Sequence, residues 1–514
     1  MRAAAIALAS VPLWLSFALR VLAQVPSFPV EFVVTDKTTG TALPCRIHLR
    51  DQARRPQRAD RLPFWRDHFV CPGTARLDLA PGEYTYEIER GPEYALAAGT
   101  LKVKDDGPAR VPVALERLID LPAEGWWPGE LHVHRPIDDM KLLMRAEDLY
   151  VAPVISWWHG RQGLRSHWSG GKLPPGNPLV EFDRNRYCHV LAGEDEREGG
   201  ALLYFNLPAP LDLAGATLEY PSHLKFAAQA RRDKNSWIDI EKPFWRDVPV
   251  WLSGQVDSIG LANNHMNRSQ MYESEAWGKP RDTTRLPAPL GNGYWTQEIY
   301  YHILNSGLRL PPSAGSASGV LPNPVGYNRV YVHVDGPLSY DEWWKGLRAG
   351  RSFVTNGPLL RVRANERLPG HVFDGRAGEG ITIDLRADLT TRDPIRALEI
   401  VKNGQVERAV PYDQWRKTGS LGSLRFDESG WFLVRAIADN PKTFRFASTA
   451  PYYVEIGERK RRISKRSAQF FLDWAIERAG QVKLDDAGQR AEVLQYHTAA
   501  KRFWEDTLAS ANAE

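Results

Sequence analysis

Between residues 25 and 118 apolar and polar positions alternate in short runs. Val30-Glu31-Phe32-Val33-Val34, residues 45–49, Tyr84-Thr85-Tyr86-Glu87-Ile88, Leu101-Lys102-Val103 and residues 111–115 fit the two-residue period of a strand, punctuated by Gly, Pro and Asp. The pattern predicts a small β-sandwich. From residue 119 to 360 the period changes. Strand-length apolar runs fall at 130–133, 151–156, 188–191, 248–252, 257–261 and 327–334, and helical spacing at 139–150, 223–232, 295–306 and 340–349. Strand followed by helix, repeated, predicts an α/β domain with a parallel sheet or barrel. From 361 to 457 the β pattern returns, with strands at 382–385, 397–401, 431–438 and 453–456 and Asn403-Gly404 as a hairpin turn. This predicts a second small β-sandwich. Residues 467–479 and 486–510 are amphipathic and predict a helical tail over 465–514. In its second helix Leu494, His497, Phe503, Trp504 and Leu508 form a stripe that packs back on the body.

Polar residues interrupt this pattern at telling places. In α/β folds sites gather at the C-terminal ends of strands. His134, His159, Glu194 and His265 each follow a predicted strand there. In extended chain, residues two apart point to one face. His132 and His134 therefore aim two imidazoles at one point, as a metal ion requires. His167, His189, His223 and His333 read instead as caps or interior fillers.

Composition narrows the function. A net charge of +4 over 514 residues, with no long basic run, argues against a nucleic-acid binder that relies on a dense cationic face. Arg2, an apolar run over 3–19 and Val21-Leu22-Ala23 predict a secretory signal peptide over 1–23. No later stretch is long and apolar enough to span a bilayer. A secreted or periplasmic protein without stable membrane insertion is expected. Export permits disulfides, so Cys45 and Cys71 can pair, leaving Cys188 as a buried thiol.

Gly129-Glu130-Leu131-His132-Val133-His134 resembles the first motif of the PHP (polymerase and histidinol phosphatase) metal-dependent hydrolase superfamily. Residues 301–309 (YHILNSGLR), Ala314-Gly315-Ser316, 326–332 (GYNRVYV) and 348–358 (RAGRSFVTNGP) are similar to its CehA/McbA branch, named for carbaryl hydrolases. The resemblance covers residues 119–360. It implies a distorted seven-stranded β/α barrel with a metal site in its mouth, with flanking β modules as common companions. Pro81-Gly82-Glu83-Tyr84 is similar to a phrase of transthyretin-like and carboxypeptidase-regulatory-like modules.

The resemblance implies His132 and His134 as paired ligands, His159 as the histidine of a second motif, Glu194 as a bridging glutamate and His265 as a further ligand. Three departures stand out. Trp158 occupies the place of the family's aspartate before that histidine, Ala317 the place of a metal-binding aspartate, and Lys242-Pro243 falls near a usual His-Pro. Two lost carboxylates mean fewer ions or softer binding. A mononuclear site of His132, His134, His159 or His265, and Glu194 remains chemically sound.

The expected function is exported, metal-dependent hydrolysis of an ester-type bond (phosphoester, carboxyl ester or carbamate) in a small-molecule or glycan-type substrate. One to two divalent ions are expected, zinc first, manganese or iron otherwise. Glu194, His265 and Arg329 are the candidate catalytic residues. Glu194 serves as ligand or as the base that deprotonates water. Arg329 and Asn264 are candidates to hold an anionic or carbonyl oxygen, with a structural ion pair as the other reading of Arg329. The alternative is a degenerate barrel that binds carbohydrate or another ligand, with Trp126, Trp127, Trp157, Trp158 and Trp168 stacking on it.

Overall fold

The computed structural model describes residues 26–104, 108–160, 163–166 and 177–514. The expected signal peptide, His167 and Trp168 lie outside the described residues. The alternation at the N-terminus folds as expected into two facing sheets. One holds three strands, Thr74–Leu79, Phe28–Asp36 and Ala109–Leu115; the other holds five, around Cys45–Asp51. Val30, Phe32 and Val34 point inward and meet Ile47, Leu49 and Ile88 of the second sheet in one core.

Cys45 lies opposite Cys71 across antiparallel strands, and the two buried thiol sulfurs are 3.6 Å apart. A disulfide needs them at about 2.05 Å, a small approach for two facing side chains. We expect mild oxidation to lower the thiol count of the denatured protein from the three of the sequence to Cys188 alone. Retention of all three thiols in a thiol titration would refute this.

The central region is a mixed α/β structure. Its main sheet has seven strands in the order Gly163–Ser166, Ile155–Gly160, Ala192–Arg197, Gly200–Phe205, Trp237–Ile240, Ser258–Ala262 and Pro312–Ala314. Parallel and antiparallel pairs both occur in it. The expected strand over 130–133 is displaced. The regular strand is Trp126–Gly129, paired with Arg329–His333 in a different sheet. Beyond Gly129 the chain runs between two ends of the seven-stranded sheet, where Val133 bridges both Val154 and Ser318 in parallel.

Other expectations are corrected too. Residues 248–252 form a helical turn, Val248–Leu252, with Pro249 in its first turn, where a fixed φ and a missing N–H are harmless. Five consecutive apolar residues carry no period to tell helix from strand. The strand expected at 151–156 is Ile155–Gly160, so Trp157, Trp158 and His159 lie within it. Likewise Glu194 lies inside Ala192–Arg197, not after a strand. The helices fall close to expectation, at Ile137–Ala146, His223–Ala230, Gly291–Asn305 and Tyr340–Arg348.

The C-terminal β region is two sheets, but one of them is shared. Ser352–Thr355 pairs with Phe446–Thr449, so a nine-stranded sheet crosses residue 360 without a break. The Asn403-Gly404 turn joins Ile395–Lys402 to Gln405–Pro411, with positive φ at both turn residues. In the tail, Val493, His497, Ala500 and Trp504 are the buried stripe of the helix Ala487–Ala509. Trp504 stacks on Phe471 at 4.6 Å and donates its indole N–H to the Pro249 carbonyl at 2.8 Å. Among the described residues no helix is long and apolar enough to cross a membrane.

Candidate metal centre

The segment between Gly129 and Ile137 is irregular, yet it is pinned residue by residue. Leu131 N–H donates to Ala314 O at 2.9 Å, His134 N–H to Ser318 O at 2.8 Å, and Ile155 N–H to Val133 O at 2.8 Å. Gly315 passes so close that a Cβ there would stand 2.3 Å from the His132 Cβ. Glycine at 315 is therefore what lets the His132 side chain sit against the neighbouring backbone.

The period of two brings the imidazoles together. His132 Nε2 and His134 Nε2 are 2.9 Å apart, and Glu194 Oε2 lies 3.5 Å from the first and 3.1 Å from the second. All three side chains are buried. Glu194 Oε2 has these two nitrogens as neighbours, yet no donor is aligned on it. Ligand atoms about 2.1 Å from a zinc ion lie about 3.0 Å apart at right angles and about 3.4 Å apart at the tetrahedral angle. The three observed separations fall around that range. Two imidazoles and a carboxylate are also a donor set that zinc, manganese and iron accept. The residues fit a divalent ion.

Charge is arranged to match. Burial opposes ionisation of Glu194, but His132 and His134 hold its carboxyl well below the ordinary range. Burial likewise opposes a charge on His132, while Glu194 and Glu241 raise its pKa. Glu196, two residues along the strand from Glu194, is pushed up to about 8 by burial and by the charges of Glu194 and Glu241. Asp239 is raised to about 7 by burial, although the Ser258 and Ser313 hydroxyls donate to it.

Glu241 is the residue that the sequence reading missed. It follows the short strand Trp237–Ile240, and its Oε1 is 3.4 Å from His132 Nδ1. The other imidazole nitrogen thus faces the trio, and the carboxylate behind fixes the ring. The signal was the strand-end rule itself, hidden because the four-residue strand Trp237–Ile240 is too short to stand out in the sequence.

The remaining candidates do not join the trio. His159 lies in its strand with Nδ1 at 3.4 Å from Asp195, a carboxylate already clasped by Arg197. His265 packs between the Phe244 and Tyr272 rings, and burial with the nearby Lys242 charge lowers its pKa. Arg329 is fully buried and donates to the carbonyls of Gly326 and Glu147, beside the Glu147 carboxylate. It is a structural cation, not a substrate-binding one. Asn264 donates its amide to Glu241 at 2.6 Å. Trp158 packs beside the His134 ring, at 5.5 Å between centroids. Trp126 and Trp157 are core, against Phe353 and Tyr204, and Trp127 packs on Tyr150.

A second cluster, His48, Asp67 and His68, also brings three ligand-type side chains together. Its electrostatics are unfavourable. Arg46 Nε–H donates to His48 Nε2, which leaves the proton of a neutral imidazole on Nδ1, the atom facing Asp67. Arg50 holds the same carboxylate at 2.9 Å. A dication there would displace one guanidinium and face another.

No family model matches the chain, and no curated protein matches it. Among solved structures, the crystal structure of the N-terminal four Ig domains of Dscam1 isoform 8.4 is similar at 9% identity, over 84% of this chain and 100% of that one. Its TM-score of 0.13 carries no argument about this fold.

Proposed function

We propose that this chain is an exported metal-dependent hydrolase of an ester-type bond, built on a distorted seven-stranded β/α barrel of the PHP type. The observation that carries the reading is the convergence of His132 Nε2, His134 Nε2 and Glu194 Oε2 within 3.5 Å of one another in a buried site. The barrel reading is supported by the bridges of Val133 to Val154 and to Ser318, which join the two flanks of the sheet through the ligand-bearing segment. His132, His134 and Glu194 would hold one divalent ion, with zinc as the first candidate. When bound, such an ion supplies Lewis acidity and acidifies water.

The chain's own residues prepare that site. Glu241 holds the His132 ring, the Ser318 carbonyl anchors the backbone of His134, and the Trp158 ring shields one side of His134. His159, His265 and Arg329 are not assigned to the reaction.

The test is metal analysis of the purified chain after reconstitution with zinc, manganese or iron, followed by hydrolysis of aryl phosphate, aryl acetate and aryl methylcarbamate with and without chelator. About one equivalent of metal and chelator-sensitive cleavage of one ester class are expected. No bound metal would sink the hydrolase reading and leave a ligand-binding barrel.

A further inference from the structure

Glu241 is a buried carboxylate one imidazole away from the trio, and a side-chain cation already sits on it. Lys242 Nζ lies 2.6 Å from both of its oxygens, Asn264 Nδ2 2.6 Å from Oε1, and Trp245 Nε1 2.8 Å from Oε2. Three protein donors thus already bind this carboxylate, while His132 Nδ1 faces its Oε1 at 3.4 Å. The ammonium is itself enclosed. Lys242 is 3% exposed and its Nζ sits 4.5 Å from the centre of the Trp245 ring. Beside it the Asn264 Oδ1 is buried without a hydrogen-bond partner. Both Glu241 oxygens, of the kind that hard cations take, thus surround a position that a side-chain cation commands.

We propose that Lys242 is a built-in cation that occupies Glu241 and so limits this centre to a single metal ion. The inference rests on the metal-centre reading above. With the ammonium in place, Glu241 acts only through His132, as a positioning residue. Without it, the Glu241 carboxylate would be free to hold a second cation on the far side of the His132 ring. Lys242 also cancels one of the two negative charges of Glu194 and Glu241, which lowers the compensation left for a second dication.

The experiment compares the full chain with Lys242→Ala, Lys242→Met and Lys242→Arg. Lys242→Met keeps the stem that packs on Trp245 should the alanine variant fail to fold, and near-ultraviolet circular dichroism checks folding. Each protein is equilibrated with Mn2+, freed of excess ion, and read by metal analysis and electron paramagnetic resonance. The parent and Lys242→Arg should carry about one equivalent with the signal of an isolated ion. Lys242→Met, and Lys242→Ala if folded, should carry about two, with the signal of a coupled pair. One equivalent or fewer in the folded Met variant overturns the proposal while leaving the metal centre standing. No ion in the parent overturns both. As a second arm, Glu241→Gln should weaken the single ion of the parent about 10- to 100-fold, the usual effect of losing the partner behind a ligating histidine.

Discussion

Replacing His132 and His134 together by alanine should abolish metal binding, and with it any hydrolytic activity above background. Two of three converging donors disappear, and Glu194 alone is left as an ordinary buried acid. Either single replacement should weaken binding by more than the about 10- to 100-fold lost when only a partner behind a ligand is removed. The informative contrast lies in the neighbours. His265→Ala and His159→Ala should leave metal affinity unchanged, because the first ring packs between the Phe244 and Tyr272 rings and the second faces Asp195. Isothermal titration of the apoprotein with Zn2+ decides the matter. Equal losses in His134→Ala and His265→Ala would show that the centre is built from a different set of side chains.

That contrast also marks how far the sequence could be read. His132 and His134 were legible because a period of two needs no tertiary information; any extended chain puts both rings on one side. Glu194 was found for a partly mistaken reason. It lies within its strand rather than past the end, because a buried site wants acids on the inner face of the sheet, where a propensity reading stops the strand. Arg329 misled for a different reason. Its partners, Glu147 and Gly326, surround it with carbonyl and carboxylate oxygen, and the link to Glu147 spans 182 residues. No local pattern carries such a contact. The same limit hid the sheet that crosses residue 360, since pairing of Phe353 with Thr449 is a long-range fact. The tryptophans followed the general expectation for aromatics and not the stacking role of the ligand-binding alternative. Aromatics fill cores far more than they stack on ligands, and Trp126 and Trp157 follow that rule.

The second large effect is structural and concerns Asp148. This residue follows the helix Ile137–Ala146 and takes a φ of +53°. Its buried carboxylate receives Arg90 and Arg186 on Oδ1, at 2.8 and 2.9 Å, and Arg117 on Oδ2 at 2.9 Å. Arg90 and Arg117 belong to the N-terminal β module and Arg186 opens the strand Arg186–His189, so one acid ties two parts of the chain together. Removing one partner of a buried pair costs about 3–5 kcal/mol, because uncompensated charge stays behind. Asp148→Ala should fall in that range, with an added penalty because alanine avoids positive φ. Asp148→Asn tolerates the backbone and keeps the shape, so its deficit isolates the charge.

The pH dependence separates the two causes. Burial opposes ionisation of Asp148, but the three guanidinium groups outweigh it and lower its pKa below 3.8. A lowered carboxyl pKa gives stability that is complete above the unfolded value of about 3.9 and is lost as pH falls through the folded one. The gap between parent and Asp148→Asn should therefore widen somewhat from pH 7 towards about pH 4.5, as Glu93, pushed up to about 7 by burial and by the Asp148 charge, takes up its proton in the parent, and close below about pH 4. Because a chain of several sheets need not unfold in one step, the quantity to follow by calorimetry is the transition that includes the N-terminal module. A gap under about 1 kcal/mol at pH 7, the scale of an exposed ion pair, would show that the three arginines contribute no more than surface charges do.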